Sequence, residues 1–311
     1  MAGFNFSPNT YAGQAAGQFM LAAITGADMI NGGNLYIKET KSNKYVLPTW
    51  QHTYDQFVQD PAATPTPGAG TINVGERYLN LGEYLIYQEF NPQDYADHWF
   101  AKDMPELLLD RGLPVEANSV ILYEIFRQNA KYLNKLINNG DTTLTSNMKY
   151  IDGLITKMAA DSAVTKIGSP VALTNANIVS AALDPLYSAL PDALKFNPDV
   201  KFYMGYTDFA KFEEYQRNQT YKGIDVTRMG VDSYRGHKIE KIADLPENSI
   251  YVAKGLPTME SNLWMGVNST SDENNIKLAP LQANSDLWFV KAKIKVDVNY
   301  VFPAEVVLYK Y

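Results

Sequence analysis

The apolar residues Leu122, Phe126, Ala130, Leu133 and Ile137 recur at spacings of 4, 4, 3 and 4, while Glu124, Arg127, Lys131 and Lys135 fall off that stripe. This period predicts an amphipathic α-helix over Val115–Asn139. Pro114 marks its start, and Gly140 stands where a left-handed cap is expected. At about 1.5 Å per residue the helix spans about 37 Å, so it should lie across a sheet or a subunit surface. The C-terminus carries the other period. Ile294, Val296, Val298, Tyr300 and Phe302 alternate with Lys293, Lys295, Asp297 and Asn299, which predicts a half-buried strand. After Pro303 a second strand, Val306–Tyr309, is expected to help close the same sheet.

Weaker patterns fill the rest. Residues 34–39 and 44–48 flank the polar run Thr40–Asn43 and read as a hairpin. Arg77–Phe90 is aromatic-rich and extended, and stops at Asn91-Pro92. Helices are expected over 175–189 and 208–219, a buried strand over 201–204 and another short strand over 250–253, with turns at Asn197-Pro198 and Leu245-Pro246. The sum is an α+β chain without a repeat period.

Two segments lack the means to build a core of their own. Residues 1–27 carry no charge, and Phe4, Phe6, Tyr11 and Phe19 would be a liability in water. The first cation is Lys38, too late for a secretory signal, and Gln14, Gln18, Thr25 and three glycines interrupt any membrane span. An uncharged arm that docks on something else is the reading. Asp60–Gly75 mixes Pro61, Pro65 and Pro67 with Gly68, Gly70 and Gly75. Such a run holds no helix and reads as a loop reaching away from the body.

Composition narrows the function. The chain has 311 residues, enough for about two domains, and 46% hydrophobic with 20% charged residues is that of a folded protein. It has no cysteine, so disulfides, thiolate catalysis and cysteine-held metals are excluded. Its net charge of −7 argues against a dedicated DNA-gripping surface. His52, His98 and His237 are scattered and read as surface or hydrogen-bonded structural residues. No nucleotide-binding, nucleophile-elbow or zinc pattern is present. Ser146-Asn-Met-Lys149 fits S-x-x-K without its companion motifs, and Glu213-Glu214 and Asp272-Glu273 read as solvated carboxylates. Asp272–Asn275 lacks the glycine and glutamate of a calcium loop. No catalytic, cofactor or metal site is therefore expected. The arm, the loop, the long helix and 21 tyrosines instead suit contact area. Phe4, Phe6 and Phe19 in the arm, and Trp50, Phe57, Arg77 and Tyr78 around the loop, are the expected inter-subunit contacts.

Several blocks then occur in a telling order. They are Leu35–Lys38, Lys44–Pro48, Glu76–Leu79, Tyr84–Tyr87, Tyr95–Trp99, the 115–139 helix and Tyr150–Gly153. Phe202–Phe209, Tyr234–Ile239 with Leu245-Pro246, Asn262–Gly266, Val296–Tyr300 and Ala304–Val307 follow. Their succession over 34–311 resembles the major capsid protein of tailed double-stranded DNA bacteriophages, the Hong Kong ninety-seven capsid fold. The resemblance implies an N-terminal arm at 1–33, strands and an extended loop at 34–100, and a peripheral domain at 101–170 with its spine helix at 115–139. It implies an axial domain at 171–285 and C-terminal strands at 286–311 returning to the peripheral domain.

The function so implied is structural, not enzymatic. The subunit would self-assemble into hexamers and pentamers of an icosahedral head, with the loop lying on one neighbour and the arm bracing another. Portal and scaffolding or decoration proteins would be its partners, as would packaged double-stranded DNA through non-specific contacts. No membrane is involved, and the place is the virion, assembled in the host bacterial cytoplasm. Fewer than 35 residues precede the first block, so any scaffold would be separate or dispensable. Nothing marks a lysine–asparagine crosslinking pair, and that activity is not carried over. An encapsulin-like protein compartment is the alternative within the fold. A hydrolytic enzyme with an Asp/Glu pair that spacing cannot reveal is the alternative outside it.

Overall fold

A computed structural model describes residues 9–11, 28–53, 71–91, 115–218, 232–268, 276–282 and 287–311. The strands of the first half are β1 (Asn9–Tyr11), β2 (Tyr36–Thr40), β3 (Lys44–Thr53), β4 (Thr71–Asn80) and β5 (Gly82–Phe90). Then come β6 (Thr165–Lys166), β7 (Val200–Gly205), β8 (Ser233–Tyr234), β9 (His237–Ile242) and β10 (Ser249–Lys254). Last are β11 (Leu263–Asn268), β12 (Ile276–Pro280), β13 (Trp288–Tyr300) and β14 (Val307–Lys310). The α-helices are α1 (Asp28–Asn31), α2 (Val115–Asn139), α3 (Leu154–Ala160), α4 (Asp184–Ala189), α5 (Asp192–Lys195) and α6 (Tyr206–Arg217).

The first sheet is organised around β13. β5 pairs along one edge, β12 and β11 share the other, and β1 and β2 complete the order β1-β12-β13-β11-β2. The helix read from the sequence is present with the same bounds. Its stripe is buried, and Leu122, Phe126, Leu133 and Ile137 share a core with Val290, Ala292, Ile294, Val296 and Val298. The second sheet runs β6-β14-β10-β7-β9-β8. Tyr203 and Tyr251 stack at 4.8 Å on its side facing the first core. Phe202, Met204, Ile250 and Val252 meet Leu186, Phe209 and Phe212 on the other side. Burial on both faces explains why β7 and β10 read as continuous apolar runs.

Several expectations change. The 34–48 hairpin does not form, because β2 pairs in parallel with β11 whereas β3 pairs with β4. Thr40–Asn43 therefore passes the chain from one sheet to another. The two C-terminal strands do not share a sheet: β13 belongs to the first and β14 pairs with β10 in the second. The 171–285 stretch is likewise divided, since β11 and β12 pair with β13. The helix expected over 175–189 opens with a π-helical stretch at Ile178–Leu183. The 208–219 helix is α6, displaced by two residues. Residues 9–11 of the arm add a strand to the edge of this chain's own first sheet.

Gly140 is needed for space, not for a left-handed cap. Among the described glycines only Gly33 and Gly236 have positive φ. A Cβ on Gly140 would lie 2.2 Å from the Ile151 carbonyl oxygen, and one on Gly153 2.6 Å from the backbone carbon of Asn138. The Gly153 N–H donates to the Gly140 carbonyl at 2.8 Å. These two glycines let the end of α2 press against the start of α3. Gly153→Ala is expected to lower stability by about 2 kcal/mol through overpacking against backbone. Gly168→Ala, with nothing within 4 Å of the added carbon, should be nearly neutral. Denaturant midpoints of the two variants check this, and equal midpoints would contradict it.

Candidate functional site

The feature that stands apart from both sheets is the two-stranded ribbon β3–β4. It pairs in ten registers from Lys44↔Asn80 to Thr53↔Thr71, which at about 3.4 Å per residue gives about 34 Å. Residues 71–75, expected in the loop, are therefore strand. A two-stranded ribbon tolerates Gly75, opposite Thr49, because no third strand has to pack on it. Such a ribbon has no core of its own and is stable only where something fixes it.

The fixing point is its root. Leu47, Leu79 and Leu81 form a small cluster with Val301, against which Tyr45, Trp264 and Phe302 pack. A side chain at Gly266 would meet Leu81 at 3.0 Å and Leu79 at 3.4 Å, so the two leucines rest where β11 has no side chain. Polar contacts complete the seat. The Asn80 N–H donates to Asp297 Oδ2 at 2.8 Å, and Asn299 Nδ2 donates to the Tyr78 carbonyl at 2.8 Å. Lys157 Nζ, from α3, donates to Asp297 Oδ1 at 2.8 Å. Asp297 and Asn299, expected on the solvent side of their strand, are thus buried beneath the ribbon.

A second clamp lies one step outward. The Arg77 guanidinium pairs with Asp161 and sits over the Tyr300 ring at 4.5 Å. The Tyr300 hydroxyl donates to Asp161 Oδ2 at 2.8 Å, and the Ala163 N–H donates to Oδ1 at 2.8 Å. Burial opposes ionisation of Asp161, but the Ala163 N–H, Arg77 and Tyr300 outweigh it and hold its pKa below the ordinary value. At Asp297 the balance reverses. Burial raises its pKa in spite of Lys157 and the Asn80 N–H. Burial, with help from Asp297 and Asp152, also pushes the Tyr84 hydroxyl up to about 12. Arg77, Lys157, Asp161 and Tyr300 line an open cleft of about 370 Å³ with Asp152 and Thr156.

Of the expected contact residues, Arg77 and Tyr78 root the ribbon in their own subunit. Tyr78 also donates to Glu76 at 2.6 Å and lies under Lys44 Nζ at 3.7 Å. Trp50 is in β3, paired opposite Val74. Phe4, Phe6, Phe19 and Phe57 lie outside the described residues. His237 is buried, its ring nitrogens 3.1 Å and 3.0 Å from the Val200 and Lys195 carbonyls, as a structural histidine should be. Ser146 accepts from the Met148 N–H and caps a single 3₁₀ turn. Among the described residues no group of three His, Asp or Glu could hold a metal. The sequence reading missed Lys157, Asp161, Asp297 and Asn299. The one signal available was on the polar face of that strand, where the lysines give way to Asp297 and Asn299 near its end.

No family model matches the chain, and no curated protein matches it in sequence. Solved structures do match. A chain of the satellite phage P4 procapsid, in a structure that includes the size determination (Sid) protein, aligns with TM-score 0.63 at 10% identity, covering 94% of this chain and 97% of its own. A chain from the capsid of the empty GTA particle aligns with TM-score 0.58 at 12% identity, covering 91% and 89%. The chain has a phage-capsid fold. A chain of the virus-like particle from Pyrococcus furiosus, at TM-score 0.50 and 14% identity over 94% and 98%, shares it more loosely. The α+β capsid architecture expected from block order is therefore present.

Asp161→Asn removes the charge that Arg77 needs and is expected to lower stability by about 1.5–3 kcal/mol. Amide exchange should rise at residues 77–80 and stay unchanged in β7 and β10. Since the folded pKa of Asp161 lies below its ordinary 3.8, this contribution is complete above that value and is lost as pH falls through the folded pKa. Asp297, with a raised folded pKa, responds in the opposite sense. Exchange at the root that is the same in wild type and variant at neutral pH would contradict the clamp.

Proposed function

We propose that the chain is the major capsid protein of an icosahedral phage head, a structural subunit that assembles with itself into hexamers and pentamers around double-stranded DNA. The observation that carries this reading is the rooted ribbon on a capsid fold. The root is buried and charge-paired, while the outer part projects with Val74 61% exposed and with no described element packed upon it. An element of that kind acquires its burial from another molecule, and in a closed shell every copy both gives and receives such a contact. The arm and the ribbon are the parts that reach neighbours. Portal, scaffolding or decoration proteins are the further partners, and the place of action is the virion.

Catalysis is not needed to explain any described feature. Of the two carboxylates in the open cleft, Asp152 and Asp161, the latter is held ionised by an arginine, which unsuits it to donate a proton. A shell with contents other than a genome is the second reading, favoured by the likeness to the Pyrococcus furiosus virus-like particle. Both readings require the ribbon.

Thr53 and Thr71 already face each other, so replacing residues 54–70 by Asn-Gly closes the ribbon with a two-residue turn. This variant is expected to fold with the stability of wild type and to yield no closed shells by electron microscopy. Normal shells from it would contradict the assembly role of the ribbon. Nuclease-protected double-stranded DNA inside wild-type particles supports the head reading, and a packaged protein in its place supports the second.

A further inference from the structure

Strand β7 turns Lys201 and Tyr203 toward the first core, and Glu240 stands on the same face because it pairs with Tyr203 across β7–β9. Asn34 comes to that face from the segment that enters β2 of the first sheet. It follows Gly33, which takes φ +63, and its N–H donates to the Met29 carbonyl at 3.0 Å. Four side chains then meet in a nearly dry space. Lys201 Nζ donates to Asn34 Oδ1 at 2.7 Å and lies 3.4 Å from Glu240 Oε1, the two charged side chains being only 14% and 12% exposed. The hydroxyl of the fully buried Tyr203 is 3.5 Å from the same Asn34 oxygen. Lys238 contacts Glu240 from the solvent side at 2.7 Å. A Cβ on Gly32 would run into Asn34 Nδ2, and one on Gly255 would run into the Tyr203 hydroxyl and lie 2.8 Å from the Asn34 carbonyl oxygen. Two glycines thus let the backbone close around the amide.

One atom is left out of this network. Asn34 Nδ2 is buried and has no hydrogen-bond partner among the described residues, although it carries two N–H groups. A buried donor without an acceptor is destabilising. Exchanging the amide's oxygen and nitrogen does not cure this, because the nitrogen would then face the Lys201 ammonium, another donor. The side-chain amide therefore has its oxygen polarised by an ammonium and a hydroxyl, an amine held beside its carbon, and nothing holding its nitrogen. That is the arrangement of an acyl-transfer substrate with its nucleophile.

We propose that Lys201 and Asn34 join in an intramolecular isopeptide bond, with Glu240 as the base and Tyr203 as the oxyanion donor. The Glu240 carboxylate takes a proton from the Lys201 ammonium, and the freed amine attacks Asn34 Cγ. The C–O π pair moves to Oδ1, where the Tyr203 hydroxyl donates to it. Burial holds that hydroxyl well above its ordinary pKa, so it remains a donor. Glu240 passes its proton to Nδ2, the pair on Oδ1 returns, and the Cγ–Nδ2 bond breaks. Glu240 then collects the second proton of the attacking nitrogen and surrenders it to the departing ammonia. One lysine ammonium and one side-chain amide become one secondary amide and one ammonium ion, with no oxidant or cofactor. The product abolishes the orphaned N–H groups and a poorly hydrated charge together. It also ties the segment entering the first sheet to β7 of the second, a covalent staple inside one subunit that does not depend on the shell reading.

The test takes the full chain, folded and incubated at neutral pH, and reads its intact mass under denaturing conditions. A mass lower than that of the sequence by one ammonia is expected, with a branched peptide joining residues 34 and 201 after proteolysis. Lys201→Arg keeps the charge and should show the full sequence mass. Glu240→Gln should slow the loss about a hundredfold at unchanged circular dichroism, and Tyr203→Phe should slow it as well. Wild-type chain kept in denaturant from synthesis onward should retain its full mass, since only the fold assembles the four groups. Full sequence mass in the folded wild type overturns the proposal and leaves the cluster a hydrogen-bonded ion pair. Ammonia loss that persists in Lys201→Arg overturns it too, by placing the reaction at an asparagine–glycine pair such as Asn31-Gly32.

Discussion

A two-stranded ribbon about 34 Å long cannot support itself, and the rest of this chain is arranged around holding one end of it. Ten register pairs provide backbone hydrogen bonds but no buried apolar layer. The missing layer is supplied at the root by a cluster of Leu47, Leu79 and Leu81, the last two lying on the side-chain-free surface of Gly266. Buried polar groups then fix the angle. Asp297 would be costly alone in the interior, yet it joins Asn80 of the ribbon to Lys157 of α3. Removing Lys157 would leave the buried Asp297 carboxylate without its counter-charge, which disfavours other arrangements of the root.

β13 is the strand through which this constraint spreads. Its apolar residues share a core with α2, and its polar face changes role midway. At 297–299 it seats the ribbon, and at 291–295 it is open and basic. The same strand therefore anchors the subunit's own projection at one end and presents an open row of lysines at the other. α2 stiffens it from behind, and the close backbone contact at Gly140 and Gly153 fixes α2 to α3 and so to Lys157 and Asp161.

Local periodicity made some of this legible and pairing made the rest illegible. The 4, 4, 3, 4 spacing sets one continuous face, so α2 could be read residue by residue. The alternation from Lys293 to Asn299 set the strand, but alternation states which residues share a face and not what covers it. Asp297 and Asn299 therefore read as solvent-facing. The 34–48 hairpin failed for a related reason, because nearness in sequence favours pairing only when no distant partner offers more burial, and β11 does. Glycines at 140 and 153 serve a contact between segments that only the fold brings together. Arg77 and Tyr78 were singled out for their place beside the loop, yet their partners Asp161 and Asn299 lie far off in sequence. The order of blocks carried the architecture better than any block alone.

The central claim, that this is a shell subunit whose projecting parts are completed by other copies, is most directly tested by the state of the intact chain purified alone. Sedimentation velocity with electron microscopy across a concentration series, with and without a crowding agent, reads it in one experiment. Five- or six-subunit rings or closed hollow shells are the expected result. A chain that stays monomeric at every concentration and in the presence of host lysate would contradict the account.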